Sequence, residues 1–177
     1  MLDGFKLNAS ASEDIIQKYS NSLPKALIDI WKNQGFGTFM EGYLKIVNPD
    51  EYDEVFKDSY FKSDVAIPII VTAFGDIITW EKNKYVGIVQ YRYGKSDIMI
   101  TGFDLFLMLL KDSSFTKKFF NIEMYKDAVA LHGSLSFDEC FGFVPILAMG
   151  GSEKIESLKI VKAKEHIALI NELAGSI

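Results

Sequence analysis

The stretch from Val65 to Thr101 most narrows the folds open to this chain. Four runs rich in β-branched and aromatic residues, Val65 to Phe74, Ile77 to Glu81, Tyr85 to Tyr91 and Ser96 to Thr101, are separated only by Gly75-Asp76, Lys82-Asn83-Lys84 and Tyr93-Gly94-Lys95. Connections this short join antiparallel neighbours, because a parallel crossover needs far more chain. The pattern predicts a meander of three or four strands. Pro68 has no N–H to give to a ladder, so the start of the first run is expected at an edge or in an entry loop.

Helical signals lie on both sides of this stretch. Ser12 precedes Glu13 and Asp14 as an N-cap with acidic first-turn residues, which predicts a short helix to about Tyr19. Pro24 opens a second helix, with Leu27, Ile30 and Trp31 on one face and Gly35 as its stop. Gly35 to Pro49 then reads as an aromatic-glycine turn and a short strand at Tyr43 to Val47. After Gly102 the period becomes helical through Phe103, Phe106, Leu107 and Leu110, with more helix at Phe115 to Phe120 and Met124 to Leu131. Phe141 to Met149 reads as a buried strand, Leu158 to Val161 as a last short strand, and Lys164 to Ala174 as a terminal helix. The fold class is therefore α+β, a central antiparallel sheet flanked by helices at both chain ends.

Composition bounds the function. With 177 residues, 49% of them hydrophobic, the chain is expected to form a single globular unit, residues 1–177, with a substantial core. One cysteine, Cys140, excludes an internal disulfide and fits a reducing compartment. Met1 to Ser10 lacks the basic and apolar regions of a secretory signal, and no apolar run approaches the ~20 residues that span a bilayer. A cytoplasmic protein without membrane contact is expected. The net charge is −5 with a single arginine, Arg92, which disfavours direct nucleic-acid binding.

No group of residues declares a catalytic or metal centre. Cys140 beside Asp138 in SLSFDECFGFVPILAMGG, Ser134 to Gly151, would need His132 or His166 to act as a nucleophile, and no spacing places either at the sulfur. A small core thiol is the plainer reading. Two distant histidines and one cysteine have no metal-ligand spacing, and neither Gly35-Phe36-Gly37 nor Gly150-Gly151 completes a phosphate-binding motif, so no metal and no cofactor are expected. Asp76 and Glu81 read as solvated hairpin positions rather than an acid/base pair. Trp80, Tyr85, Tyr91 and Tyr93 read as packing rather than a base-stacking platform, because the nearby cations are scattered singly. The acidic run Asp50, Glu51, Asp53, Glu54 and Asp58 alternates with Tyr52, Val55 and Phe56, as on a helix with one inward and one solvated face.

Two long blocks carry a family likeness. LPKALIDIWKNQGFGTFMEGYLKIVNPDEY, Leu23 to Tyr52, and LSFDECFGFVPILAMGG with SLKIVKAKEHIALINELAG, within Leu135 to Gly175, resemble bacterial GAD-like domain proteins whose C-terminal part is a type VI secretion immunity domain. AFGDIITWE, Ala73 to Glu81, resembles that family's central hairpin. The resemblance implies a subdivision into a GAD-like part, 1–100, and an immunity part, 101–177. It also implies a non-catalytic immunity protein whose partner is a cognate effector toxin, in some members a nuclease with basic surface. On that reading Asp50, Glu51, Asp53, Glu54 and Asp58 are the candidate partner-binding residues, since acidic side chains can stand in for phosphate. A small enzyme using Cys140, and a regulatory or scaffold module of the same fold, stand as the alternatives.

Overall fold

The computed structural model describes residues 1–177. Seven antiparallel strands form one sheet in strict chain order: β1 (Lys6–Ala9), β2 (Phe36–Phe39), β3 (Leu44–Ile46), β4 (Ala66–Thr72), β5 (Ile77–Glu81), β6 (Tyr85–Gln90) and β7 (Lys95–Thr101). The meander is thus longer than its turn signals predict. β4 to β7 are the expected strands, with Ile78 opposite Ile88 and Trp80 opposite Val86 in the β5–β6 pair. Pro68 sits where the β4–β5 register shifts, and β3 pairs only with Ile70–Thr72, so the proline occupies a stretch bonded on one side alone.

Helices cover both faces. α1 (Glu13–Tyr19), α2 (Lys25–Gln34), α4 (Phe103–Leu109), α5 (Ser113–Phe119) and α6 (Ile122–His132) join one apolar cluster, while α3 (Asp53–Ser59) and α7 (Ala163–Ala174) join the other. The period of two along the strands decides which side chain goes where. Leu44, Ile46, Ile70, Ile78 and Ile88 enter the first cluster; Val47, Val71, Ile77 and Val89 enter the second. Each fully buried side chain of this size contributes roughly 1.5–3 kcal/mol over its exposed state. The helix starts follow the sequence: the Ser12 side chain caps α1 by accepting from the Ile15 N–H, and Gly35 ends α2 at φ 75°, a conformation costly for any residue with a Cβ.

A separate two-stranded sheet, β8 (Glu139–Phe143) with β9 (Leu158–Lys162), closes one end of the meander. The Phe141 N–H donates to the Ala73 carbonyl in the β4–β5 turn at 2.7 Å. Phe141 then enters the first cluster and Cys140 the second. The run Phe141 to Met149 does not continue as a strand. A cis peptide precedes Pro145, and Leu147–Met149 form a 3-10 turn with Met149 exposed. Proline lacks the N–H that ladder continuation requires. No helix is long and apolar enough to cross a membrane.

Candidate functional site

The acidic segment forms on an Asn48 cap, whose side chain accepts from the Asp50 N–H at 3.1 Å, with Pro49 opening a 3-10 turn before α3. Tyr52 and Phe56 turn inward to the second cluster. Helical periodicity then divides the five predicted residues into two stripes. Asp50 and Asp53 form the first, and both are paired: Asp50 accepts from Lys18 Nζ at 2.6 Å and from the Tyr19 hydroxyl at 2.7 Å, and Asp53 meets Lys57 at 2.7 Å. Partial burial raises the Asp50 carboxyl, but the Lys18 and Tyr19 hydrogen bonds outweigh it and leave the group below its ordinary value.

Glu51, Glu54 and Asp58 form the second stripe, which faces α7. Together with Glu165 they line an open groove of about 510 Å³ between the two helices, floored by Val55 and Ala168 and closed by Lys164 and Asn171. All four carboxylates are exposed, and none has a cation within 4 Å. Lys164 lies over the Tyr52 ring at 5.8 Å instead. Sequence reasoning missed Glu165, because nothing in the local pattern tells that α3 and α7 pack side by side; the structure joins it to three of the five predicted residues and turns the other two away.

Below this groove the β8 end is held by a buried cation. Lys45 projects from β3 toward the second face, opposite Val71, and is 1% exposed. Its ammonium donates to the carbonyls of Ser136 at 2.9 Å and Phe137 at 3.1 Å, and to that of Glu139. Burial pushes the ammonium down to about 8, and the neighbouring Cys140, Asp138 and Glu139 oppose that shift. Outside, Lys162 bridges Asp138 at 2.7 Å and Glu139 at 3.4 Å, while Glu139 accepts from the Ser136 N–H. The acidic pair of the DEC sequence is thereby occupied in fixing its own loop.

Cys140 is fully buried, and burial pushes its thiol up to about 12. Neither imidazole hydrogen-bonds it: His132 contacts the Ile155 carbonyl at 3.2 Å, and His166 packs against Gly142, where a Cβ would come within 2.5 Å of Nε2. A thiol held protonated, with neither imidazole bonded to it and the nearby Lys45 ammonium spent on three carbonyls, has the environment of a core group. Asp76 and Glu81, expected in solvent, are instead buried. Glu81 accepts from the hydroxyls of Tyr60 at 3.0 Å and Thr79 at 2.9 Å. Asp76 faces Arg92 at 3.1 Å, and the guanidinium is stacked 4.2 Å from the Phe74 ring centroid and 4.7 Å from that of Tyr93. Burial pushes the Asp76 carboxyl up to about 6 in spite of the arginine. Both residues sit in the frame of the sheet, Asp76 at the β4–β5 turn and Arg92 just after β6.

The crystal structure of Atu4351 from Agrobacterium tumefaciens superposes with a TM-score of 0.76 at 18% identity, over 94% of this chain and 84% of that one, so the two share a fold. No curated protein matches the sequence. A family model for the C-terminal domain of T6SS immunity protein Tdi1 matches residues 101–174, and one for the GAD-like domain matches residues 3–91. A chain that runs from a meander sheet and its first helices into a helical and β8–β9 segment locked onto that sheet thus belongs to the GAD-like domain family, with a T6SS immunity-type domain as its second part.

Proposed function

We propose that this protein neutralises a cognate type VI secretion toxin by non-covalent binding, and that the α3–α7 groove is the surface that meets it. The observation that supports the reading is the groove itself: Glu51, Glu54, Asp58 and Glu165 hold four carboxylates against the one lysine of its lining, Lys164, and none has a cation within 4 Å, around an open cleft with one wall in the immunity-type match. Leaving like charges together costs stability in the free protein, and a basic partner recovers that cost on docking. A nuclease fits this chemistry, because any enzyme that grips a polyanion presents lysines and arginines at its active face. Inhibition then consists of covering those cations with protein carboxylates in place of phosphates, with no covalent step and no catalytic residue.

The test is co-expression with the toxin encoded beside it, scored by survival and by co-purification. The triple variant Glu51→Gln, Glu54→Gln, Asp58→Asn is expected to slow association about tenfold at low salt and to flatten its salt dependence. The control pair Asp50→Asn, Asp53→Asn, on the opposite stripe, is expected to stay within about twofold of the unmodified protein. Equal association rates for both variants would remove the groove from the mechanism while leaving the immunity function itself intact.

A further inference from the structure

Across the outer ridge of α7 from the acidic groove the helix surface is apolar, and the last part of SLSFDECFGFVPILAMGG lies beside it. Leu169 and Leu173 are one turn apart on the helix and are 44% and 48% exposed. The 3-10 turn Leu147–Met149 packs on α7. Leu147 and Ala148 line a small cavity together with His166 and Ile170, so the turn borders the flank on which Leu169 and Leu173 follow, each three positions further along. Ala148 is exposed, and Met149 is 59% exposed. Single exposed hydrophobic residues are ordinary, whereas a contiguous set rimmed by charge marks a contact surface.

Two further features tie this patch to one occupant. Glu165, in the lining of the acidic groove, stands one turn before Leu169, and Glu172 stands one turn after it, so a partner seated against the groove carboxylates reaches the leucines directly. At the far end of the flank a hollow of about 430 Å³ opens between Leu147 and Ala148 on one side and Ile170, Ala174 and Ile177 on the other. Its walls are mostly apolar, and it has room for an aromatic or branched aliphatic side chain from outside, the kind of pocket in which interface anchors sit.

We propose that Leu169, Leu173 and the Ala148–Met149 turn form the apolar centre of the toxin-binding surface, and that the partner carries an aliphatic or aromatic anchor beside its basic face; this rests on the reading that the α3–α7 groove meets the toxin. The two halves do different work. Exposed carboxylates attract and orient a basic partner, which raises the rate of encounter, but solvated charges at a rim hold a complex only weakly. Residence depends on a contact from which water is excluded, and the apolar flank of α7 supplies it. The partner then straddles α7, its cations in the groove on one side and its anchor against the turn on the other.

The test is surface plasmon resonance of the full-length chain against the purified toxin encoded beside it, over a series of salt concentrations. The variant Leu169→Gln, Leu173→Gln is expected to raise the dissociation rate at least about tenfold and to leave the association rate within about twofold, the reverse of Glu51→Gln, Glu54→Gln, Asp58→Asn. Ala148→Gln, which removes no packing and places an amide in the patch, is expected to raise the dissociation rate at least about threefold with an unchanged urea midpoint. The control Leu105→Gln, Met108→Gln, at exposed positions of α4, is expected to change neither rate. Dissociation of both patch variants at the control rate overturns the inference, and the groove reading then stands if the carboxylate variant still associates slowly. Faster dissociation of the patch variants with normal association of the carboxylate variant keeps the apolar surface and removes the groove. No binding by the unmodified chain overturns both.

Discussion

Replacing Lys45 with methionine tests how the two parts of the chain are joined. Methionine preserves much of the lysine stem and removes the ammonium, so the substitution takes away the three carbonyl contacts to Ser136, Phe137 and Glu139 and little packing. The Ser136 carbonyl keeps the Glu139 N–H as a second donor at 3.2 Å, and an acceptor left without a donor costs ~1–3 kcal/mol, which makes the gross loss about 4 kcal/mol for the other two. Against this, the native protein no longer has to bury a charge. The fall of the Lys45 ammonium from 10.5 to about 8 corresponds to about 3 kcal/mol of that burden at neutral pH. The net expected loss is about 1 kcal/mol, read as a lower denaturation midpoint in urea at pH 7 with an unchanged slope. The same reasoning fixes a pH signature. A lysine whose folded value lies below its unfolded one leaves the unfolded chain holding more protons between the two, so native stability from this group rises as pH increases from about 8 to 10.5. Lys45→Met abolishes that rise. A variant as stable as the unmodified protein at pH 7, or one that retains the rise, refutes the account of Lys45 as a charged tie.

Other substitutions probe the interior independently. Asp76 is raised to about 6 from 3.8, so the native state takes up a proton before the unfolded chain does; Asp76→Asn should flatten the fall in stability from about pH 4 to 6 that this residue produces, as measured by denaturation at a series of pH values. Gly142→Ala drives a Cβ into the His166 ring and should cost about 1–3 kcal/mol in thermal or urea unfolding, with much of the loss recovered in the double variant Gly142→Ala, His166→Ala. Cys140 should react with an aromatic disulfide reagent only through global unfolding, so its labelling rate should follow denaturant concentration; fast labelling of native protein would contradict its burial. Because the first cluster contains both Leu27 and Trp31 from the GAD-like part and Phe141 and Leu158 from the immunity part, circular dichroism and tryptophan fluorescence should report one coincident transition.

Much of the architecture could be read from local pattern, since hairpin turns and helix caps are local devices. β4 to β7 lie between turn signals, and α1, α2 and α7 begin and end near where their caps and stops predict. β1 could not be found this way. All four of its residues, Lys6–Ala9, are exposed, so the strand has no apolar alternation, and its partner β2 is too short and glycine-interrupted to declare itself. Gly37 serves the pairing rather than a turn: a Cβ there would strike the Lys6 carbonyl and the Phe5 ring. The charged interior is invisible for a different reason. Lys45 meets carbonyls more than 90 residues away, and the Arg92–Asp76 contact joins the end of one strand to the turn before another. Ordinary hydropathy places all three in solvent, and only the assembled tertiary structure reverses that assignment. In the acidic segment the inward face was legible from Tyr52 and Phe56, and the Asp53–Lys57 pair is a local i, i+4 contact, whereas the pairing of Asp50 and the grouping of the unpaired carboxylates depended on Lys18 and α7, neither of them local.

The strict chain order of the sheet has a consequence for how the protein is made. Every strand bonds to its sequence neighbour, so the meander can assemble in step with synthesis, one hairpin at a time, as soon as each strand leaves the ribosome. The two faces do not become dry together. α2 reaches the first face early, but α7 supplies Ala163, Ile167 and Ile170 to the second, so Val47, Val71, Ile77 and Val89 wait on the last helix for that part of their cover. Glu165, on that same helix, completes the acidic groove in the same closing step that dries the sheet. A ribosome-bound chain lacking α7 therefore has its strands in place but not this acidic cleft, and the groove comes into being only with the complete interior.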